Sequence, residues 1–304
     1  MSFYSPLRYP GGKGKISDYI KQVFKENLLC DGVYVEPYAG GAGVALSLLF
    51  NGYASKIIIN DIDRSIFAFW HLVLNRTNEL CKLIKDTPVN IATWETQKSI
   101  QREKNKLSLL RVGFSTFFLN RTNRSGVLNA GVIGGRRQTS NYEIDERFNK
   151  TNLIKRIERI ALYKNKIELH NSDAVKLVKS LRKKLPQKTL FYLDPPYYLK
   201  GKCLYLNYYE NKDHQEIATE IARVNEQKWI VTYDDVPYIR CLYKDYKQVQ
   251  YTLNYSTARA SKGKEVMIFS DNLLVSKHPT LGIRGKVCLA GHIPPAESGE
   301  FIDV

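Results

Sequence analysis

The sequence contains no long apolar run. Its longest apolar stretches, such as residues 44–50, are far shorter than the roughly 20 residues that a transmembrane helix needs. Residues 1–10 contain no apolar centre typical of a secretory signal. The five cysteines are odd in number and widely spread, and no pair has the spacing of zinc ligands. We therefore expect a soluble cytoplasmic protein with free thiols, no bound metal and no membrane association.

Acidic residues are scarce relative to basic ones, with 30 Asp and Glu against 46 Lys and Arg and a net charge of +16. An excess of this size favours a polyanionic partner, because each neutralised phosphate releases a counterion. Charge alone also fits a generally basic protein without such a partner. The chain lacks the G-x-G-x-x-G turn of dinucleotide-binding enzymes and the Gly-Lys-Ser/Thr of a phosphate loop, which argues against both of those classes.

Short β-rich runs alternate with helical patterns along the chain. This alternation is typical of parallel strands joined by crossover helices. Five runs are predicted as such strands, and two later runs lie too close together for a helix between them. We expect the last two to form an antiparallel pair at one edge of the sheet. The predicted strands cover residues 33–36, 56–60, 166–170, 189–193 and 228–232, then 248–253 and 265–270.

The second and third predicted strands are separated by a long interruption of roughly a hundred residues, far more than the dozen or so that a crossover requires. Within it, residues 98–137 contain nine basic residues and one acidic residue. Residues 120–141 are rich in Gly, Asn and Thr, which predicts loops or a hairpin. The simplest interpretation is an inserted basic module that recognises a target, rather than a second enzyme.

The tetrapeptide Asp194-Pro195-Pro196-Tyr197 directly follows the predicted strand 189–193. Ligands of open parallel sheets bind beyond the carboxyl ends of the strands, so the motif would lie at the mouth of a cleft. The Asp194 carboxylate and the Pro195 carbonyl can both accept hydrogens from an exocyclic amine and free its delocalised lone pair. Tyr197 offers a flat face for an extruded base. The alternative is a plain surface turn.

A second group of residues is suited to hold a methyl donor. The small-residue turn after strand 33–36 lets the backbone approach a ligand closely, although its glycines can also serve only a tight turn. Asp61 ends the next strand, where a carboxylate can bridge two ribose hydroxyls or cap the following helix. Asp173 ends the third strand and can contact an adenine ring or cap a helix predicted over residues 174–184.

Four motifs in this order resemble the Dam-like, or D12-class, DNA adenine methyltransferases. They are Tyr9-Pro10-Gly11-Gly12-Lys13, Glu36-Pro37-Tyr38-Ala39-Gly40-Gly41, Asn60-Asp61 and Asp194-Pro195-Pro196-Tyr197. Downstream, Asp213-His214 is predicted to open a helix with Glu216 completing a capping box. Tyr9 and Tyr38 stand where the family usually has Trp and Phe, and both keep an aromatic ring. The resemblance spans about residues 7 to 272.

The resemblance implies a Rossmann-like α/β methyltransferase fold with a mostly parallel sheet, an antiparallel edge pair and an inserted, mainly helical target-recognition domain. We place the discontinuous catalytic domain at residues 1–61 and 152–275, the insert at 62–151 and a tail at 276–304. The implied cofactor is S-adenosylmethionine. The implied cofactor contacts are Tyr9, Lys13, Glu36, Pro37, Tyr38, Ala39, Gly40, Gly41, Asp61, Asp173 and Asp194, and residues 194–197 would form the catalytic pocket.

The expected substrate is an adenine flipped out of double-stranded DNA. An RNA adenine methyltransferase and a catalytically silent DNA-binding protein are the alternatives. A restriction endonuclease that acts on the same site is a candidate partner, and a monomer is expected. The side chains proposed to contact DNA, as base readers or phosphate ligands, are Arg8, Arg121, Asn123, Arg124, Asn129, Arg136 and Arg137.

Overall fold

A seven-stranded mixed sheet forms the centre of the computed structural model, which describes residues 4–8, 14–199, 209–255 and 261–275. In chain order the strands are β1 (Gly32–Glu36), β2 (Ala54–Asn60), β3 (Ile167–His170), β4 (Thr189–Leu193), β5 (Lys228–Asp234), β6 (Lys247–Tyr255) and β7 (Ser261–Phe269). Their order across the sheet is β3-β2-β1-β4-β5-β7-β6. β1 to β5 run parallel, and β7 is antiparallel to both β5 and β6.

This sheet confirms the predicted fold class. All seven predicted strands are present, and the last two form the antiparallel pair at the edge. The largest difference is at β7, which begins at Ser261 and not at residue 265. There the ladder with β6 continues through Leu253↔Gly263 to Tyr255↔Ser261. Backbone pairing in such a ribbon requires no apolar alternation, so the side-chain pattern does not reveal its full length.

The central strands are buried on both faces. Ile57, Ile58 and Ile59 on β2 are all fully buried, but they point in alternate directions. Ile57 and Ile59 join one hydrophobic cluster, whereas Ile58 joins a second cluster on the opposite face. A strand covered on both sides reads as a continuous run of branched apolar residues, which explains why these strands were recognisable in the sequence.

Helices cover both faces of the sheet. The face to which Ile57 and Ile59 point is covered by helices that include the long run between β2 and β3. The opposite face, to which Ile58 points, is covered by the helices that follow β3, β4 and β5. The α-helices of the described residues are α1 (Gly14–Glu26), α2 (Gly43–Phe50), α3 (Arg64–Asn75), α4 (Thr77–Asp86), α5 (Ile91–Arg102), α6 (Leu109–Thr122), α7 (Lys150–Ala161), α8 (Ala174–Leu181), α9 (Asn211–Ile221) and α10 (Pro237–Leu242).

Between β2 and β3 the chain is mainly helical, from α3 to α7. α6 packs closely against α3 at Gly113, where a Cβ atom would lie 2.6 Å from the Ala68 carbonyl oxygen. Phe69 and Phe117 stack across this contact with ring centroids 6.0 Å apart. Both rings belong to the same hydrophobic cluster as the sheet residues Ile57 and Ile59. The insert therefore shares a core with the sheet, and its boundaries at residues 62 and 151 stay a prediction.

Two predicted helix ends are wrong. The helix after β3 ends at Leu181 and not at residue 184. The helix after β4 begins at Asn211, because Glu210 is its N-cap in an extended conformation (φ −90°, ψ 170°). The reciprocal capping box therefore joins Glu210 and Asp213, and Glu216 takes no part in it. A motif of polar residues at three-residue spacing fits more than one register, and only the backbone conformation selects between them.

The predicted loop region also begins later than expected. Residues 120–122 form the last turn of α6, and irregular structure starts at Asn123. A single antiparallel bridge joins Asn123 to Val132, and a short 3₁₀ turn covers Arg124–Gly126. Residues 123–141 thus form a compact loop with one bridge, instead of a regular hairpin.

Candidate active site

The predicted functional motifs meet at one edge of the sheet. β1 lies between β2 and β4, and all three strands run parallel. Their carboxyl ends are therefore adjacent. The turn after Glu36, the carboxylate of Asp61 and the motif that begins at Asp194 each follow one of these three strands. The topology brings them together as open α/β sheets do for their ligands.

The turn after β1 leads into α2 through two left-handed residues, Gly40 (φ 46°) and Ala42 (φ 47°). The left-handed conformation suits glycine, and at Ala42 it costs about 1 kcal/mol. The Ala39 N–H donates to the Asn60 carbonyl oxygen (2.8 Å), and the Trp70 indole donates to the Gly40 carbonyl oxygen (2.9 Å). The turn is therefore tied both to β2 and to α3. Glu36, Pro37, Ala39 and Gly41 are buried within it.

Asp61 stabilises the turn between β1 and α2, which we call the glycine turn, through a hydrogen bond from Gly40. Its carboxylate accepts from the backbone N–H groups of Gly40 (3.1 Å) and Asp63 (2.9 Å). Burial raises the pKa of Asp61 to about 7, and the adjacent Asp63 carboxylate adds to this, although the two N–H bonds and Lys104 oppose it. The N-cap of α3 is Asp63, which accepts from the Ser65 N–H. The alternative that Asp61 caps this helix is therefore wrong.

Asp173 is the N-cap of α8. Its carboxylate accepts from the Lys176 N–H at 3.0 Å, so the capping alternative describes its observed contact. A contact with an adenine ring stays a prediction, and the half-buried side chain lies at the end of β3. Next to it, the Asn60 amide donates to the Pro37 and Ser172 carbonyl oxygens at 2.8 and 2.9 Å. Asn60 thus links the ends of β1, β2 and β3.

The tetrapeptide Asp194–Tyr197 directly follows β4. Asp194 is half-buried, and its carboxylate accepts from the Thr232 hydroxyl of β5 at 2.8 Å. Pro195 is buried, whereas Pro196 and Tyr197 are partly exposed. The Tyr197 hydroxyl donates to the Glu265 carboxylate of β7 at 2.9 Å. The partly exposed carboxylate of Asp194 and the anchored ring of Tyr197 therefore both lie just after the end of β4.

Three residues that fix this motif were not given roles from the sequence: Thr232, Asp234 and Glu265. The two oxygens of Asp234 accept from the backbone N–H groups of Tyr198 and Leu199, both at 2.8 Å. Glu265 is 2% exposed and accepts from Tyr251 as well as from Tyr197. Asp234 is the last residue of β5, and Glu265 is a carboxylate inside β7. A charged residue in or at the end of an apolar strand is a sequence signal, but strand pairing is needed to show what it faces.

Tyr38, one of the two departures from the usual family pattern, has a partner for its hydroxyl. The hydroxyl groups of Tyr38 and Tyr209 lie 2.8 Å apart, and the rings meet edge to face. Burial first, and then the neighbouring tyrosines, raise the pKa of Tyr38 well above 10, so the hydroxyl stays neutral. The extra oxygen of Tyr38 is therefore accommodated. Tyr9, the other departure, and Lys13 lie outside the described residues.

The side chains predicted to contact DNA divide into two groups. Arg124, Asn129, Arg136 and Arg137 are exposed in the loop after α6. Arg8 and Arg121 are half-buried and already donate to backbone carbonyls: Arg8 to Asn123 at 3.0 Å, Arg121 to Arg147 at 2.7 Å. Burial and three nearby arginines lower the pKa of Arg121 to about 9.

A base-reading role for Asn123 does not fit its position. The side chain is fully buried, and its oxygen accepts from the Trp94 indole N–H at 2.7 Å. Its amide nitrogen donates to the carbonyl oxygens of Val127 and Leu128, both at 2.9 Å. Both hydrogens of the amide are thus engaged, and no base edge can reach them. We correct the prediction: Asn123 stabilises the loop from inside.

Within the described ranges, no group of His, Cys, Asp and Glu side chains has an arrangement suited to a metal ion. No α-helix in the same ranges has both the length and the apolar character needed to cross a bilayer. Cys30, Cys81 and Cys241 are free thiols.

The residues at this edge fit S-adenosylmethionine. The left-handed Gly40 allows the backbone to approach a ligand, and the Asp61 carboxylate at the next strand end is suited to ribose hydroxyls. When bound, the cofactor supplies an electrophilic methyl group on a sulfonium. Asp194 follows β4, which pairs with β1 on the side away from β2, and the acceptor of that methyl group would be held there.

Comparison with curated protein sequences finds no match. Similar solved structures include an rRNA methyltransferase from Streptomyces viridochromogenes, with 12% identity and a TM-score of 0.37 over 87% of this chain and 88% of that chain. Another is TrmK of M. capricolum in complex with S-adenosyl-homocysteine, with 8% identity and a TM-score of 0.36 over 85% of this chain and 71% of that chain.

The sequence profile of one family matches most of the chain, from residue 9 to residue 257. Its description is "D12 class N6 adenine-specific DNA methyltransferase". The match includes the glycine turn, Asp61, the insert and the motif at Asp194, and it confirms the resemblance found from the four motifs. The protein is an S-adenosylmethionine-dependent methyltransferase and belongs to the D12 class of N6 adenine-specific DNA methyltransferases.

Proposed function

We propose that the protein transfers a methyl group from S-adenosylmethionine to N6 of an adenine flipped out of duplex DNA. The observation that carries the proposal is the position of Asp194. Its carboxylate stands at the end of β4, fixed by Thr232 and adjacent to the glycine turn at the end of β1. Family membership supports DNA as the substrate, and the net charge of +16 supports a nucleic acid as the binding partner.

In this proposal, Asp194 and the Pro195 carbonyl accept hydrogen bonds from the adenine amine. The lone pair of that amine is delocalised into the ring, and two acceptors favour the tetrahedral geometry in which the lone pair is available. Thr232 orients one carboxylate oxygen of Asp194 through its hydrogen bond. The rate enhancement comes mainly from holding the amine in line with the methyl group, since no strong base is required.

Tyr197 provides the stacking surface for the flipped base. Its ring is partly exposed, and its hydroxyl is anchored to the buried Glu265. Anchoring one end of the ring reduces its rotational freedom before the base arrives. Stacking on an aromatic side chain contributes about 1–3 kcal/mol per base, which offsets much of the few kcal/mol that flipping costs.

The test is methyl transfer from labelled S-adenosylmethionine to duplex DNA of varied sequence, followed by identification of the labelled base. Label on adenine N6 is the expected result. Equal amounts of structured RNA serve as the competitor. Preferential labelling of RNA would replace DNA by RNA as the substrate, and no transfer to either nucleic acid would overturn the proposal.

A further inference from the structure

A cavity of about 190 Å³ opens on the surface of the insert, outside the strand-end site. Five of its lining residues lie on α5, where the positions 95, 98, 99 and 102 share one helix face. The sixth comes from the loop after α6. The lining residues are Trp94, Glu95, Lys98, Ser99, Arg102 and Arg136.

Trp94 forms a rigid floor for this cavity. It is 4% exposed, and its indole N–H is held by the buried Asn123. The Lys98 ammonium and the Arg136 guanidinium lie over the ring, 5.6 and 5.8 Å from a ring centroid. Both charges line the cavity, and the Lys98 ammonium also donates to the Leu128 carbonyl oxygen at 3.2 Å, which leaves further hydrogens of the ammonium for a ligand. A ring that is nearly inaccessible and covered by cations cannot stack with a base.

The cations of the cavity are not neutralised by the protein. Within the part of the chain that the structure describes, Lys98, Arg102 and Arg136 form no ion pair within 4.0 Å. Glu95 is the one carboxylate among the lining residues, against three cations. Partial burial first, and then the charge of Arg102, lower the pKa of Lys98. Crowding like charges is unfavourable unless an anion is bound between them.

The volume and the donors of the cavity fit a phosphate group. Two guanidinium groups and one ammonium provide planar and point-like donors, both of which bind phosphate oxygens. Ser99 adds a hydroxyl at the rim. The cavity has room for several waters or one phosphate, since a water occupies about 30 Å³ of liquid volume.

We propose that this cavity binds a backbone phosphate of duplex DNA and so fixes the position of the insert on its substrate. The inference rests on the proposed function, because it takes the methyl-accepting nucleic acid to be DNA. A phosphate contact at this place contributes affinity and register without reading sequence. It assigns Lys98 and Arg102, together with Arg136, to DNA binding, and it gives Asn123 the role of supporting the cavity floor.

The experiment compares the full-length protein with the double variant Lys98→Gln/Arg102→Gln. Affinity for one duplex is measured by fluorescence anisotropy from about 0.05 to 0.2 M salt. The control, Lys82→Gln/Lys85→Gln, removes the same charge from exposed positions on α4 of the insert. Thermal unfolding of all variants checks that they are folded.

If the proposal is correct, the cavity variant binds about tenfold more weakly at low salt, and its log–log salt slope is smaller by about 1. The control changes affinity by about twofold or less and keeps the slope. Glu95→Gln, which removes the opposing charge, binds more tightly. Equal losses in both double variants would show only a general charge effect and would overturn the proposal.

Methyl transfer to the same duplex separates this proposal from the proposed function. Normal transfer together with an unchanged salt slope in the cavity variant overturns the phosphate site alone. If the salt slope falls in the cavity variant but not in the control, and no methyl group is transferred to DNA, the phosphate site is supported and the proposed function is overturned. A loss of slope seen with RNA but not with DNA overturns the assignment of the cavity to DNA.

Discussion

The strand-end site and the loop of the insert use similar polar side chains for different purposes. At the strand ends, Asp61 follows β2 and Asp194 follows β4, the two parallel strands on either side of β1, so their positions follow from the topology. In the loop, Asn123 and Asn129 are six residues apart in one irregular segment, yet one is fully buried and the other is exposed. Residue type therefore indicates function only where the backbone fixes the direction of the side chain.

The largest effect is expected at the strand ends. Asp194→Ala removes the carboxylate that would accept from the amine, and we expect the rate of methyl transfer to fall about 100- to 1000-fold or more. Duplex binding should change by about twofold or less, because the phosphate contacts lie elsewhere. Initial rates with labelled cofactor and anisotropy with the same duplex measure the two effects. An equal loss of both would mean that Asp194 has a structural role.

The insert gives the next largest effect, on stability. Asn123→Ala leaves the Trp94 indole and the Val127 and Leu128 carbonyls without their buried partner, so the free energy of unfolding should fall by about 2–4 kcal/mol. Asn129→Ala, at an exposed position of the same loop, should change it by about 0.5 kcal/mol or less. Urea unfolding of both variants tests the contrast. Equal stability of the two variants would contradict it.

A smaller effect is expected from Glu265→Gln, which weakens the acceptor of the Tyr197 and Tyr251 hydroxyls. We expect kcat to fall about tenfold, the equivalent of one charged hydrogen bond, with little change in KM for the cofactor.

The variant Tyr197→Phe provides the matched background for Glu265. If Glu265 acts through the Tyr197 hydroxyl, adding Glu265→Gln to Tyr197→Phe should cause little further loss of kcat. Additive losses would show that Glu265 acts independently of this ring. Thermal unfolding of the single and double variants separates positioning from a general loss of stability.

The smallest expected effect is that of Asp61 on the pH dependence of the free energy of unfolding. Its pKa is raised from 3.8 to about 7 in the folded protein. The folded state therefore retains a proton that the unfolded chain releases, and stability falls as the pH rises between these two values. For a fully buried group, a pKa difference of this size corresponds to about 4 kcal/mol. Asp61 is partly exposed and solvent screens its charge, so relative to Asp61→Asn, which cannot ionise, the cofactor-free protein should lose about 1 kcal/mol over this range. Urea unfolding of both proteins at several pH values measures this difference. If the free energies of unfolding of the two proteins changed equally with pH, the expectation would be refuted.

Much of the sheet could be read from the sequence. The buried parallel strands have continuous apolar runs, and the motifs of the active site directly follow them, so both could be located without coordinates. The hydrogen bonds from Thr232 to Asp194 and from Tyr197 to Glu265 could not, since they join residues that are 38 and 68 positions apart in sequence. Register between strands is a property of the assembled sheet.

Local sequence patterns were therefore sufficient to identify the fold class, the family and the residues at the strand ends, because periodicity and short motifs are local. Tertiary structure alone decided that Asn123 faces inward, that Asp63 and Glu210 cap their helices, and that Lys98, Arg102 and Arg136 surround one cavity. These outcomes depend on which side of a helix or loop is covered by the rest of the chain. Burial is decided by packing between distant segments, and a local pattern does not contain it.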